Sequence, residues 1–126
     1  MSDTTAPTGP FTAAVTAADD PSVLFLPDGP ATFVATGHAA GPWDPRHCHG
    51  GPVAALLARA CEQIDDGTDT DWQFARLTIE LTRPVPVGEP ISVRTEVERP
   101  GRKVSIVAAR LEAGGTVVAH VRALRI

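Results

Sequence analysis

A histidine and two glycines precede the most apolar helix that the sequence predicts. The segment from His47 to Ala60 reads HCHGGPVAALLARA. The first backbone N–H groups of a helix have no partner within the helix, and they lie at the positive end of its dipole. Because glycine lets a ligand approach such a backbone closely, Gly50 and Gly51 predict a site for a group with partial negative charge. The alternative is that the glycine pair only makes a tight turn.

His49 comes directly before the glycine pair, so its side chain can lie at the same opening. A neutral imidazole there could orient water or hydrogen-bond a carbonyl group. The imidazole could also serve only to cap the helix or to anchor the loop. His47 stands two residues farther from the glycines.

The sequence offers no set of metal ligands at a spacing typical of zinc sites. Cys48 lies between two histidines, but side chains of adjacent residues rarely face one ion together, and Cys61 and His120 belong to different predicted elements. We therefore predict no metal and no cofactor. Two cysteines also do not make a disulfide framework, which favours reduced thiols and a cytoplasmic protein.

Length and composition limit the fold and the partners. With 126 residues, of which 43% are hydrophobic, the chain can build one domain with one core. The net charge of -4 argues against a general nucleic-acid binder, and no apolar run approaches the ~20 residues of a membrane span. Residues 1–20 lack the basic and apolar regions of a signal peptide, and we expect them to form a flexible tail before a domain over residues 21–126.

The apolar residues after the glycines predict one helix from Pro52 to about Asp65. Proline suits the first helical turn, where its missing N–H is not needed. The segment DDGTDTD ends the helix. Alanines widen the apolar surface of the helix, so we expect it to be enclosed on most sides. The buried stripe follows the i, i+3, i+4, i+7 spacing at Val53, Leu56, Leu57, Ala60, Cys61 and Ile64.

The remaining sequence predicts about five strands. A first extended segment covers Ala31 to Gly37, and four strands follow the helix. In the first of these four, Leu77, Ile79 and Leu81 alternate with polar residues, as in a strand with one buried face. Short turn segments separate the strands and imply antiparallel neighbours. The predicted class is α+β, with an antiparallel sheet of about five strands wrapped around one central helix.

Three segments in this order resemble the hotdog-fold thioesterases. They are the loop and helix start GPWDP…HGGPVAALL, the strand end TRPVP and the turn RPGR. The resemblance covers residues 31–126 and is greatest to the N-terminal hotdog unit of acyl-CoA thioesterase II-like proteins of high-GC bacteria. It implies a single hotdog fold that hydrolyses the thioester of acyl-CoA or of an acyl carrier. Chains of that group usually carry two units, so one unit here implies a homodimer or a dimer of dimers.

The resemblance also implies roles for the candidate residues. The N–H of Gly51 and the helix dipole would stabilise the oxyanion that forms when water attacks the thioester, and His49 would position water or substrate. Many single-unit members carry a catalytic Asp or Glu where this sequence has Ala58. Glu62, one helical turn beyond, and Asp44, in the loop, are the two carboxylates that could replace it. Each also has a structural alternative, Glu62 as a solvated helix residue and Asp44 as the cap of a turn.

Further residues would contact the substrate. Gly50 would lie against the thioester, and Trp43 would either line an acyl pocket or hold the loop on the core. Arg99, Arg102 and Lys103 cluster in the turn RPGRK, where they could bind the phosphates of coenzyme A. The alternative for these three basic residues is a solvated hairpin turn.

Two other functions are compatible with the same residues. Asp44 and His49 stand five apart, as in hotdog enoyl hydratases, and a dehydratase could pair His49 with Glu62. A non-catalytic module that binds acyl thioesters, or that completes the site of another protein, is favoured by Ala58. The sequence leaves open the acyl chain, the carrier and the identity of the general base.

Overall fold

The structure, a computed structural model, describes residues 23–126, so the tail predicted for residues 1–20 lies outside it. Within the described residues, one helix packs on one face of a six-stranded sheet. A short 3-10 turn at Gly37–Ala39 lies between the second strand and the helix. The elements are β1 (Phe25–Pro27), β2 (Thr32–Ala35), α1 (Gly50–Glu62), β3 (Phe74–Leu81), β4 (Pro90–Arg99), β5 (Ser105–Ala113) and β6 (Thr116–Arg125).

The sheet has one strand more than the predicted five. Its order is β1-β2-β4-β5-β6-β3, and every neighbouring pair is antiparallel, which confirms the α+β class and the prediction from the short turns. The strand that the sequence did not reveal is β1, because three residues are too few to show an alternation. Pairing with β2 holds it, with Leu26 opposite Val34.

Helix α1 starts and ends earlier than predicted. It begins at Gly50 rather than Pro52 and ends at Glu62, so both glycines belong to its first turn. The sheet covers one side of the helix, while Ala55 and Arg59 on the other side are exposed. In a single copy of the chain, the expectation that the helix is enclosed on most sides is therefore wrong. The residues of α1 buried against the sheet are Val53, Leu56, Leu57 and Cys61.

In the described part of the chain, no helix combines the length and the apolar character needed to cross a membrane.

Strand β3 forms one edge of the sheet, and α1 leaves much of its inner face uncovered. This face continues the apolar layer of β6, where Ile79 lies opposite the buried Val121. Leu77, Ile79 and Leu81 on the same face are 38%, 37% and 52% exposed. Strand edges of this kind are ordinarily protected by charge, by a covering element or by pairing. The sheet therefore ends in an apolar edge beside the helix.

Candidate active site

The start of α1 presents two backbone N–H groups without acceptors. His49 is the N-cap, with extended φ and ψ of -67° and 149°, and its side chain makes no capping hydrogen bond. Pro52 has no N–H, and the Val53 N–H is the first that the helix itself can satisfy. Among the described residues, the N–H groups of Gly50 and Gly51 therefore have neither a backbone nor a side-chain acceptor. Two donors converge where the helix dipole is positive.

The loop before α1 is held in place from two sides. The N–H of His49 donates to the carbonyl oxygen of Ala39 at 2.7 Å, and the N–H of Cys48 donates to that of Val85 at 2.8 Å. Val85 belongs to the segment TRPVP that follows β3, so two of the segments that carry the family resemblance meet here. These bonds fix the position of the His49 backbone relative to the sheet.

Asp44 lies in the same loop, but its carboxylate is already engaged. Both oxygens accept hydrogen bonds from the Arg46 guanidinium, the shortest at 2.7 Å, and Oδ1 also accepts the Arg46 backbone N–H at 2.9 Å. The Nδ1 atom of His47 lies 3.6 Å from Oδ2. The hydrogen bonds from Arg46 hold the pKa of Asp44 well below its usual range. Such a weakly basic carboxylate suits the role of holding the turn better than that of a general base.

Glu62 is the last residue of α1 and lies far from its start. It follows Gly51 by 11 positions on one helix, which at 1.5 Å per residue separates the two backbones by ~16 Å. A single chain cannot bring the Glu62 carboxylate to a ligand that is bound at Gly51.

Trp43 projects from the loop and is 93% exposed. This exposure excludes the alternative in which its side chain holds the loop on the core of its own chain. A ligand or a second protein would have to supply whatever the indole ring packs against.

The basic turn RPGRK lies at the opposite end of α1 from His49. Arg102 lines a cavity together with Asp66, a residue of the segment that follows the helix. The Arg99 guanidinium donates at 3.0 Å to a backbone carbonyl oxygen near the end of the turn. Within one chain, Arg99, Arg102 and Lys103 are therefore separated from the glycine pair by the length of the helix.

A buried arginine that the sequence analysis missed joins this end of the helix to the sheet. The Arg125 side chain, 2% exposed, donates to Oδ2 of Asp66 at 2.9 Å and to the Ser105 hydroxyl at 3.1 Å. Its guanidinium also lies 4.8 Å from the centre of the Trp72 ring. Hydrogen bonds, above all from the Thr68 hydroxyl, lower the pKa of Asp66 to about 2. This cluster fixes the segment between α1 and β3.

The two cysteines are poor nucleophiles. Burial raises the pKa of the Cys48 thiol to about 12 and that of the Cys61 thiol to about 11. Both thiols are therefore protonated near neutral pH. Across residues 23–126, no group of three or more His, Cys, Asp or Glu side chains is arranged to hold a metal ion.

Most of the sequence matches the model of one protein family. Residues 39–126 match the model of the acyl-CoA thioesterase N-terminal domain. The chain belongs to this family. The match confirms the resemblance to the hotdog thioesterases and, with it, the prediction of a thioesterase-type chain. No curated protein matches the sequence.

The thioesterase domain shares its fold with solved structures. A thioesterase-superfamily protein is 26% identical with a TM-score of 0.66; the match covers 75% of this chain but 46% of that protein, so the domain spans about half its length. The PaaI protein of E. coli, from the phenylacetic acid degradation operon, is 19% identical with a TM-score of 0.67, over 75% of this chain and 67% of PaaI. A Streptococcus mutans protein solved with acetyl-CoA is 13% identical with a TM-score of 0.69, over 81% and 85% of the two chains. The hotdog fold is thereby confirmed.

Within one copy of this thioesterase domain, the predicted site residues lie in two separate groups. His49, Gly50 and Gly51 lie together at the start of α1, whereas Glu62 and the basic turn lie at its other end. Neither the two cavities between α1 and strands β1, β2 and β4 nor the two beside the segment 65–74 and the turn RPGRK are lined by a residue of the first group. His49 and Gly51 are exposed at the helix start, which adjoins the apolar edge because Gly50 packs against Leu81.

Proposed function

We propose that this domain hydrolyses acyl-CoA thioesters at the start of α1. The observation that carries the proposal is the pair of N–H donors on Gly50 and Gly51, which lack acceptors among the described residues and lie at the positive end of the helix dipole. Membership of the acyl-CoA thioesterase N-terminal domain family supports the reaction, and the fold relative solved with acetyl-CoA supports the carrier.

The reaction begins with the thioester carbonyl oxygen as the acceptor of the two glycine N–H groups. Water attacks the carbonyl carbon, and the electron pair of the C=O bond moves onto this oxygen. Loss of one donor to such an oxyanion typically costs roughly 3 kcal/mol, so two fixed donors lower the barrier substantially. Collapse of the intermediate breaks the C–S bond and releases the acid and the coenzyme A thiol. We assign the orientation of the attacking water to His49, whose side chain is exposed and makes no capping hydrogen bond.

The active unit in this proposal is a homodimer, or a dimer of dimers, built on the free edge of β3. Leu77, Ile79 and Leu81 leave an apolar surface there that pairing would bury. Two identical edge strands that pair around a two-fold axis run in opposite directions, so the start of one β3 lies beside the end of the other. The end of β3 adjoins the start of α1 in the same chain.

The same arrangement supplies a general base. Glu62 and the start of β3 lie at one end of the domain, where Asp66 and Trp72 contact each other through a 2.9 Å hydrogen bond. Antiparallel pairing would therefore carry Glu62 of a second copy toward the helix start of the first. We assign to this carboxylate the removal of the proton from the attacking water, since Asp44 is held by Arg46. The basic turn RPGRK of the second copy would approach the same side and bind phosphates of coenzyme A.

A thiol-release assay tests the reaction against its two rivals. The full chain is incubated with acyl-CoAs from acetyl to palmitoyl, free thiol is titrated, and the absorbance of an enoyl-CoA is followed in parallel. The proposal predicts that thiol and acid appear in equal amounts. Loss of enoyl absorbance without thiol release would instead identify a hydratase, for which the Asp44–Arg46 pair leaves no free loop carboxylate. Binding of acyl-CoA with neither reaction would identify a non-catalytic module.

A further inference from the structure

The edge of the sheet continues beyond β3 at both ends. Before the strand, Gln73 exchanges two backbone hydrogen bonds of 2.9 Å with Ile126. After the strand, the N–H groups of Thr82 and Arg83 donate to the carbonyl oxygen of Val118 at 3.0 Å and 3.2 Å. The chain from Gln73 to Arg83 therefore lies along β6 on one side, and in the part of the chain that the structure describes no strand pairs with its other side.

Exposed arginines lie where this edge ends. Arg83 is exposed and forms no ion pair with another described residue. The N–H of Val87 donates to the carbonyl oxygen of Arg46 at 2.8 Å, so the loop before α1 lies beside the residues that follow β3. The Arg46 side chain is 82% exposed although it binds Asp44, and Trp43 in the same loop is also exposed. Because tryptophan and arginine are enriched in protein interfaces, this arginine surface of Trp43, Arg46 and Arg83 suits a protein partner.

Exposed carboxylates lie where the edge begins. Asp69 and Asp71 precede β3, and neither forms an ion pair with another described residue. Asp66, earlier in the same segment, differs because it is bound to the buried Arg125. Residues 69–71 are therefore an acidic segment with charge available for a partner. The two ends of one sheet edge carry opposite charge, which suits a partner whose charges run in the other direction.

A second copy of the chain is such a partner. In antiparallel pairing around a two-fold axis, the start of one edge lies beside the end of the other. An axis through Leu77 brings Asp71 of the second copy opposite Arg83. Asp69, two residues earlier, comes opposite Val85, which the loop before α1 contacts through a 2.8 Å hydrogen bond. Parallel pairing would instead place the two acidic segments beside each other.

The apolar side chains of β3 do not select this register by themselves. An axis through Thr78 would pair Leu77 with Ile79 and would bury the same face of the strand. It would also shift the second copy by two residues, which is ~7 Å along the edge. Glu62 of the second copy would move by the same distance relative to the helix start of the first, so a carboxylate within hydrogen-bond reach in one register is out of reach in the other.

We propose that the acidic segment of a second copy docks on the arginine surface and thereby sets the register in which the two β3 edges pair. The inference rests on the β3 dimer of the proposed function and adds what fixes its geometry. Exposed ion pairs contribute little affinity, but they discriminate between arrangements because like charges brought together are unfavourable. The docked register carries Glu62 of the second copy to the helix start, so catalysis depends on the same charge pairs.

Exchange of the two charges tests the docking. Arg83→Glu and Asp71→Arg each place like charges at both contacts of a homodimer, and the fold should be retained because both positions are exposed and outside the strands. Sedimentation over a concentration series should show a dimer Kd at least ~10-fold above that of the wild type at low salt, with a smaller difference at high salt. An equimolar mixture of the two variants should associate as tightly as the wild type, because each contact of the mixed dimer then joins a carboxylate and a guanidinium.

Arg59→Glu and Asp28→Arg are the controls. They make the same charge changes at exposed positions away from β3, on the other side of α1 and in the turn between β1 and β2, and should leave the dimer Kd within about threefold of the wild type. The proposal would be overturned by a monomeric wild type, by an unchanged Kd in both charge-reversal variants, by an equal loss in the controls, or by a mixture that associates no better than its components. Association that follows the charge exchange in chains that release no thiol from any acyl-CoA would keep the docking and reject the proposed reaction.

Discussion

Gly50 at the start of α1 packs against Leu81 at the end of β3. A Cβ atom on Gly50 would lie 2.9 Å from Cδ1 of Leu81, closer than side-chain carbons normally approach. The helix start and the exposed sheet edge are therefore parts of one surface. Whatever pairs with the edge of β3 lies beside the two N–H donors, which links the oligomeric state to the proposed chemistry.

Disruption of the sheet edge should abolish association and activity together. Ile79→Lys places a charge on the inner face of β3, where the wild-type side chain is partly exposed in one chain. We expect the wild-type chain to sediment as a dimer or tetramer at micromolar concentration and Ile79→Lys to sediment as a monomer with at least ~10-fold slower thiol release. Thr78→Lys, on the outer face of the same strand, is the control and should behave as wild type. A wild-type monomer with full activity would contradict the shared site.

Removal of the loop imidazole should affect turnover and leave the fold intact. His49→Ala should lower kcat by about 10²-fold because it removes the group that orients water. The thermal midpoint should change little, since the His49 side chain is exposed and makes no capping hydrogen bond. His47→Ala, on the Asp44 side of the loop, serves as the control in the same thiol-release assay. Equal rates for the wild type and His49→Ala would remove His49 from the site.

The two candidate carboxylates should differ in their importance. Glu62→Gln should lower kcat at least ~10-fold, and Asp44→Asn should lower it less than about threefold, because Arg46 holds the pKa of Asp44 low and the carboxylate is a weak base. In addition, mixing the inactive His49→Ala and Glu62→Gln chains should restore activity, since a mixed dimer contains one intact pair. Failure of the mixture to recover any activity, with subunit exchange demonstrated, would exclude Glu62 of a second copy.

A charge in the core beneath the helix should unfold the domain. Leu57 is fully buried on the side of α1 that faces the sheet. Leu57→Asp leaves a buried polar group without a partner, at a cost of several kcal/mol, which is a large part of the stability of a domain this size. Ala55→Asp, at an exposed position of the same helix, should retain a cooperative melt. Calorimetry measures both, and a Leu57→Asp midpoint near that of the wild type would contradict the packing of α1.

The pairing of Asp66 with Thr68 and Arg125 predicts a dependence of stability on acid pH. The pKa of Asp66 lies at about 2 in the folded state against an ordinary value of 3.8. A lowered folded-state pKa stabilises the fold above the ordinary value, and this contribution is lost as the pH falls toward 2. Thermal midpoints of the wild type should therefore fall more steeply than those of Asp66→Asn between about pH 4 and 2. Parallel curves for the two proteins would show that the pair contributes no pH-dependent stability.

The helix start was predictable because its signals are local. Glycine, proline and the apolar stripe after His49 lie within a few residues of each other, and they predicted a helix start at Pro52, two residues after the actual start at Gly50. The alternation in β3 likewise identified an apolar face. Alternation does not show what covers such a face, and in one chain Leu77, Ile79 and Leu81 stay partly exposed.

The side-chain partners could not be predicted from the same signals. Arg125, near the end of the chain, would ordinarily be taken as exposed, although its alternation with the buried Val121 and Ala123 places it on the inner face. Its burial depends on Asp66, which lies 59 residues earlier in the sequence. Asp44 is only two residues from Arg46, but a sequence does not specify that the two side chains form several hydrogen bonds. The burial of Arg125 depends on long-range packing, and the Asp44–Arg46 pair depends on side-chain conformation. Local sequence patterns specify neither of them.

The most direct test of the central claim is thiol release by Gly51→Ala. A Cβ at this position would meet the His49 ring at 3.8 Å, an ordinary contact, so the fold should accept it. Alanine in place of glycine in a helix adds up to about 1 kcal/mol of stability, while its methyl group obstructs the approach of the thioester to the N–H donors. We predict a thermal midpoint equal to or above that of the wild type together with at least ~10-fold lower kcat/KM for acyl-CoA. Thiol release at the wild-type rate by a folded Gly51→Ala protein would contradict an oxyanion site at the start of α1.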